Sequence, residues 1–333
     1  MALKLGANSI NKLYLGSTAI NKAYLGAGIL FSGGFSPASL FAGGQQGLWL
    51  EVVPSGEFSP ASLFAGGQEG LWLEVVKSVG FDPASLFAGS TEGALFDPSD
   101  LSTLFQDSAG TTPVTASGQP VGKMLDKSGN GNHATQATYS KRPTYTEGGG
   151  LSWLAFDGVD DAMVTGAIDF TGTDKVSVFS GVRKLDDSSF GILYELSSNT
   201  NSSNGSLWAS PGYSGRGSDS GAFWSASGKG TALQNATTSE TFSAPQTVVQ
   251  THLVDISGDT ITLRINGTQE AQTSDDLGTG NFGSYPLFIG ARNQSSLYFK
   301  GNLYGLIIPG KAALADEIAS TEAYMAAKSG VTL

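Results

Sequence analysis

The stretch TVVQTHLVDISGDTITLRINGTQEAQ, residues 247–272, decides the fold class. Asn266-Gly267 stands between LRI and TQEAQ. A two-residue hairpin turn wants positive φ at both central positions, which Asn and Gly supply at least cost. The spacing therefore predicts strands over 247–256 and 260–266, the second turning back on itself at the Asn-Gly pair. Outward from this hairpin, further short strands are expected over 176–184, 191–197, 206–210, 222–227 and 286–291, with turn signals roughly every eight to twelve residues. Val176, Val178 and Val182 alternate with Ser177 and Arg183, the pattern of a strand with one face on a core and one toward water. One helix closes the chain. Leu314, Ile318, Thr321 and Met325 recur at helical spacing, Asp316 and Glu317 suit its N-terminus, and Gly330 ends it. The expected class is mainly β: a C-terminal antiparallel β-sandwich over 97–333 with one helix packed on it.

Composition narrows the function. With 18 Lys plus Arg against 29 Asp plus Glu, the chain carries a net charge of −11, so a phosphate backbone is repelled and no nucleic-acid partner is expected. The 46 glycines favour turns and short strands over long helices. Cysteine is absent, which excludes disulfides, thiolate metal sites and a cysteine nucleophile. No run approaches the roughly 18 uninterrupted apolar residues of a membrane span, and the N-terminus lacks the pattern of a signal peptide, so a protein without membrane insertion is expected.

Two nested repeats fill the front of the chain. In residues 1–33, NSINKLYL and TAINKAYL recur with a ten-residue period between Gly6, Gly16 and Gly26. In residues 34–96, a 23-residue period opens at Phe35, Phe58 and Phe81; FSPASLFAGGQQGLWLEVV and FSPASLFAGGQEGLWLEVV differ only at Gln46 versus Glu69, and the third unit has drifted. Ser36, Ser59 or Asp82 is placed to cap a helical turn that starts at Pro37, Pro60 or Pro83. Each unit has large apolar side chains and no second layer of its own. A β-rich, repeat-built stalk is expected, buried by homo-oligomerisation, with a trimer favoured.

DKSGNGNHATQ (126–136), LAFDGVDD (154–161), LRINGT (263–268), and LFIGAR followed by FKGNLYGLII and ALADEIASTEAYMAAKSGV together resemble the successive signatures of laminin-G-like, concanavalin A-like jelly-roll domains. FDPSDLSTLFQDSAGTTPVTASGQPVG and the front decapeptides resemble segments of bacteriophage tail and fibre proteins. The resemblance implies a virion protein, a tail or head fibre or spike. It would attach to other virion proteins through residues 1–33 and bind a host-surface glycan with its sandwich. A purely structural virion protein and a polysaccharide depolymerase are the alternatives.

Candidate chemistry follows from residue types. The jelly-roll glucanases deliver paired carboxylates from alternate positions of one strand, and that E-x-D-x-E arrangement is absent: Glu195 stands alone, and Asp160/Asp161, Asp186/Asp187 and Asp275/Asp276 are adjacent pairs. The only histidines, His133 and His252, come without a G-x-S-x-G elbow. No catalytic residue and no enzymatic activity are expected. Trp208, Tyr213, Arg216 and Trp224, among Ser, Asn and Gly, are candidates for sugar contact, because aromatic faces meet sugar C–H surface and polar neighbours meet hydroxyls; two ordinary strands each burying a Trp would give the same pattern. Asp126, Asp157, Asp160 and Asp161, with Asn130 and Asn132, are hard oxygen donors in turns. They could hold calcium, the one cofactor considered, or simply form the turns.

Overall fold

The computed structural model describes residues 81–188, 190–198, 203–213 and 222–333, and only short paired strands within residues 1–80. The chain divides into two compact units, Met1–Gly80 and Phe81–Leu333. In the first, Trp49–Glu51 pairs in parallel with Trp72–Glu74, Trp49 opposite Trp72, so equivalent positions of two repeats lie side by side. The attachment segment expected over 1–33 and the stalk expected over 34–96, as far as residue 80, otherwise fall outside the described residues.

The second unit is two antiparallel sheets and one C-terminal α-helix. The eight-stranded sheet runs Thr144–Gly148, Leu151–Asp157, Lys300–Pro309, Lys175–Lys184, Gln246–Asp255, Thr260–Ile265 and Thr268–Thr273, and Gly93–Phe96 pairs with the far half of Lys300–Pro309. The nine-stranded sheet runs Leu104–Phe105, Lys123–Met124, Ala134–Thr135, Met163–Asp169, Ser284–Ile289, Tyr194–Leu196, Ser206–Tyr213, Phe223–Lys229 and Leu233–Thr237. Between them lies the main core, to which Val176, Val178, Val182, Val248, Val254 and Leu263 contribute from one sheet and Tyr194, Leu196, Leu207, Trp224 and Leu287 from the other. The Asn266-Gly267 hairpin is present: Asn266 and Gly267 have φ of 51° and 80°, and the Asn266 side chain accepts from the Val249 N–H at 2.8 Å.

The helix, Ala315–Ser329, ends at Gly330 with φ 72°. Glu317 accepts from the Leu314 N–H at 2.8 Å, tying off the first turn. On the outer face of the eight-stranded sheet, Met325 and Ala326 form a second apolar cluster with Phe179, Val249 and Ile307. Buried Glu322 fixes the helix there, accepting from Arg264 Nε at 2.8 Å and Thr251 Oγ1 at 2.9 Å.

Phe81–Leu333 includes residues 81–96, which the sequence groups with the stalk. Asp82 caps the 3-10 turn Pro83–Phe87, accepting from the Ala84 N–H at 3.0 Å, and Leu86, Phe87 and Leu95 complete the cluster under the helix. Gly93 must be glycine, because a Cβ there would collide with the Ile308 carbonyl. The third repeat unit has drifted where its residues became part of the sandwich.

Candidate functional site

Strand alternation turns Tyr194 and Leu196 into the core and Glu195 outward. Register then sets a row across the outer face of the nine-stranded sheet: Phe288, Glu195, Trp208 and Ser227. Glu195 is fully buried in this row. It accepts from Ser197 Oγ at 2.6 Å and from Arg292 Nε at 2.9 Å. The guanidinium lies over two rings, its carbon 5.9 Å from the centre of Trp208 and 6.0 Å from that of Phe190, and these rings meet edge to face at 5.8 Å. Arg292 is thus held by a carboxylate behind it and aromatic rings beside it, a fixed donor fork about a quarter exposed. The loop that carries it is strained: Asn293, Gln294 and Leu297 have φ of 49°, 52° and 51°, unfavourable for side chains with a Cβ. Hydrogen bonds hold it there, from Gln136 Nε2 to Gln294 Oε1 at 3.0 Å and from the Tyr298 hydroxyl to the Gln294 carbonyl at 3.0 Å.

Of the aromatic candidates, Trp208 belongs to this site. Trp224 does not, which corrects the sequence expectation: two residues before the inward Ala226 on the same strand, it is fully buried in the core, with Lys184 Nζ 5.8 Å from its ring centre. It offers no face to a ligand. Tyr213 ends the strand Ser206–Tyr213, opposite Phe223; its side chain and Arg216 lie outside the described residues. The histidines have local roles. His133 Nδ1 accepts from the Asp126 N–H at 3.0 Å. His252 is buried beneath Tyr194, whose hydroxyl meets its Nδ1 at 3.1 Å, and burial pushes its pKa down to about 3.

The acidic candidates separate. Asp157, Asp160 and Asp161 bring carboxylate oxygens within 4.8 Å of one another. Asp157 accepts from the Val159 N–H at 2.7 Å, and Asp161 from the Asp157 N–H at 3.0 Å, so both also form the turn. Burial, reinforced by the negative charges of Asp157 and Asp160, pushes Asp161 up to about 7. A hard cation here would take three protein carboxylates and complete its shell with water. Asp126 is elsewhere, a correction to the calcium set. Its carboxylate accepts from the Leu95, Ser128 and Asn132 N–H groups at 2.8, 2.8 and 2.9 Å, holding the 126–132 turn against the strand Gly93–Phe96. A depression lined by Lys184, Asp186, Pro211, Gly212, Phe299 and Lys300 has a volume of about 10 Å³, room for one water and not for a sugar ring.

Arg292 and Phe190 were not singled out by sequence. Arg292 follows the LFIG strand by two residues, but 97 residues separate it from Glu195, and no local pattern links them.

No family model and no curated protein matches this chain. Among solved structures it is similar to an arabinofuranosidase complexed with arabinofuranosyl-α-1,2-xylobiose, with a TM-score of 0.53 and 15% identity over 75% of this chain and 65% of that one. A GH54 α-L-arabinofuranosidase soaked with a cyclic sulfate inhibitor gives 0.51 and 15%, covering 75% and 66%. Domain 4 of AbnA, a GH43 extracellular arabinanase from Geobacillus stearothermophilus, in complex with arabinotriose, gives 0.47 and 14%, covering 70% and 98%. At these identities the likeness establishes the β-sandwich fold alone.

Proposed function

We propose that the sandwich is a carbohydrate-binding module whose site centres on Arg292. The observation that carries this reading is the guanidinium held beside Phe190 and Trp208 and anchored by Glu195. A fixed donor fork matches vicinal hydroxyls; Trp208, 6% exposed, backs the guanidinium, and the partly buried Phe190 offers an apolar edge to sugar C–H groups. A structure of similar fold, the arabinofuranosidase solved with arabinofuranosyl-α-1,2-xylobiose, is in keeping with this chemistry. Binding is favoured over hydrolysis because Glu195, the carboxylate in this row, is committed to Arg292 and Ser197 rather than facing a second carboxylate at the roughly 5 Å separation of a retaining pair.

A glycan array probed with the full chain and with Arg292→Lys tests the reading. Lysine retains the ion pair with Glu195 and loses the fork, so binding should fall while thermal stability holds. Equal binding by both proteins would remove Arg292 from the site, and release of reducing sugar from a bound polysaccharide would turn the assignment to an enzyme. We further propose, on the sequence resemblance and the repeats alone, that a trimer of the chain carries this module on a phage particle. Sedimentation as a monomer, or absence of labelled protein from intact particles, would overturn that part.

A further inference from the structure

The helix covers only part of the outer face of the eight-stranded sheet. Ser329, the last helical residue, lies over Gly181, and one row further along the register places Ala155, Asn302, Arg183 and Thr247 side by side and outward. The parity is set by Leu154, Val182, Leu303 and Val248, which enter the core. Next to this row Trp153 packs on Tyr304, ring centres 5.6 Å apart, with Trp153 only partly buried. Arg183 stands two residues along its strand from Gly181, against which Tyr304 packs. Its Nε is buried without a hydrogen-bond partner. The side chain as a whole is half-buried and forms no ion pair among the described residues.

A carboxylate suits such a guanidinium best, taking two parallel hydrogen bonds from its terminal nitrogens, and its charge offsets the cost of the buried, unpaired Nε. Lys300, two residues from Asn302 on the same face and with its side chain half exposed, is paired with Asp186 at 3.6 Å, so Arg183 is the cation of this row. The ring of Trp153 supplies the flat apolar surface that a pyranose face prefers. We infer that this face binds a carboxylated sugar, its carboxylate on Arg183 with Asn302 beside it and its ring against Trp153. The site is on the opposite sheet from Arg292, so the inference does not depend on the proposal above.

The test is direct binding by the full chain of an oligogalacturonate, a sialylated oligosaccharide, and the carboxyl-reduced neutral form of each. The first two arms separate a uronate from a sialate as source of the carboxylate. A net charge of −11 disfavours indiscriminate binding of acidic polymers, so affinity here reports a specific site. Binding of one acidic oligomer is expected, weakened about tenfold to a hundredfold by carboxyl reduction and by Arg183→Gln, the worth of a charge-assisted pair. Arg183→Lys should fall between. Lys123→Gln, a cation of the other sheet, should bind as the unmodified chain does, and the melting temperature of each variant guards against loss of fold. Absence of binding by both acidic oligomers, equal binding of acidic and neutral forms, or loss in Arg292→Lys with Arg183→Gln unaffected would each overturn the inference.

Discussion

Replacing Asp161 by Asn should make the protein more stable, and increasingly so as pH rises. Asp161 is 6% exposed, and its pKa is pushed from 3.8 to about 7. A carboxyl that holds its proton more tightly when folded lends stability at low pH, which is lost as pH climbs from about 4 through about 7. The gap corresponds to about 4 kcal/mol as an upper value. His252 acts in the opposite sense. Its folded pKa of about 3 lies below the unfolded 6.5, so its contribution is full above pH 6.5 and drains away as pH falls. Over the shared window the two slopes are each about 1.4 kcal/mol per pH unit and oppose one another, so the contributions of these two residues nearly cancel from pH about 4 to 6.5. Asp161→Asn removes one slope and exposes the other. Asn can still accept from the Asp157 N–H, so the turn should persist. Denaturant unfolding of both proteins in EDTA, from pH about 4 to about 8, should show no difference at the acid end. It should show a gain of up to about 4 kcal/mol at the alkaline end, or about 10 °C in melting temperature for a domain of this size. His252 cancels from the difference between the two proteins. A difference that does not grow with pH, or a variant less stable throughout, would refute the reasoning.

Three further outcomes can be checked. Calcium added above pH 7 should raise the melting temperature of the unmodified chain and not of Asp161→Asn if the three carboxylates hold the ion; an equal response in both proteins would exclude this cluster. Glu322→Ala should cost about 3–5 kcal/mol by leaving Arg264 partly buried and unpaired, and hydrogen exchange should quicken first in Ala315–Ser329. Asn266→Pro requires φ near −65° where the turn has 51°, and removes the N–H that donates to the Val249 carbonyl at 2.8 Å; it should cost about 3 kcal/mol or more, read by denaturant unfolding.

What could be read from sequence was set by contacts close along the chain. The Asn266-Gly267 hairpin, the helix ending at Gly330, the Asp82 cap and the meeting of Asp157 with Asp160 and Asp161 all depend on residues within a turn or two of one another. Trp224 was ambiguous because Phe223 and Trp224 are adjacent and both apolar, and only the register against Ser206–Tyr213, which shifts between Ser210 and Tyr213, fixes which one enters the core. Asp126 has the form of a turn-former or a metal ligand alike; its hydrogen bond to Leu95, 31 residues away, gives it the structural role. Arg292 acquires its meaning from strands that meet it only after folding.

The docking of residues 81–96 has a consequence for how such a chain can vary in length. Gain or loss of a 23-residue unit upstream of Phe81 changes the number of near-identical copies and leaves every strand of the sandwich in place. The same event at the third unit would remove the strand Gly93–Phe96 from the sheet edge and Leu86, Phe87 and Leu95 from beneath the helix. Recombination between repeats thus has a fixed boundary, and the drift of the third unit lowers the sequence identity across which a crossover into the folded domain could occur.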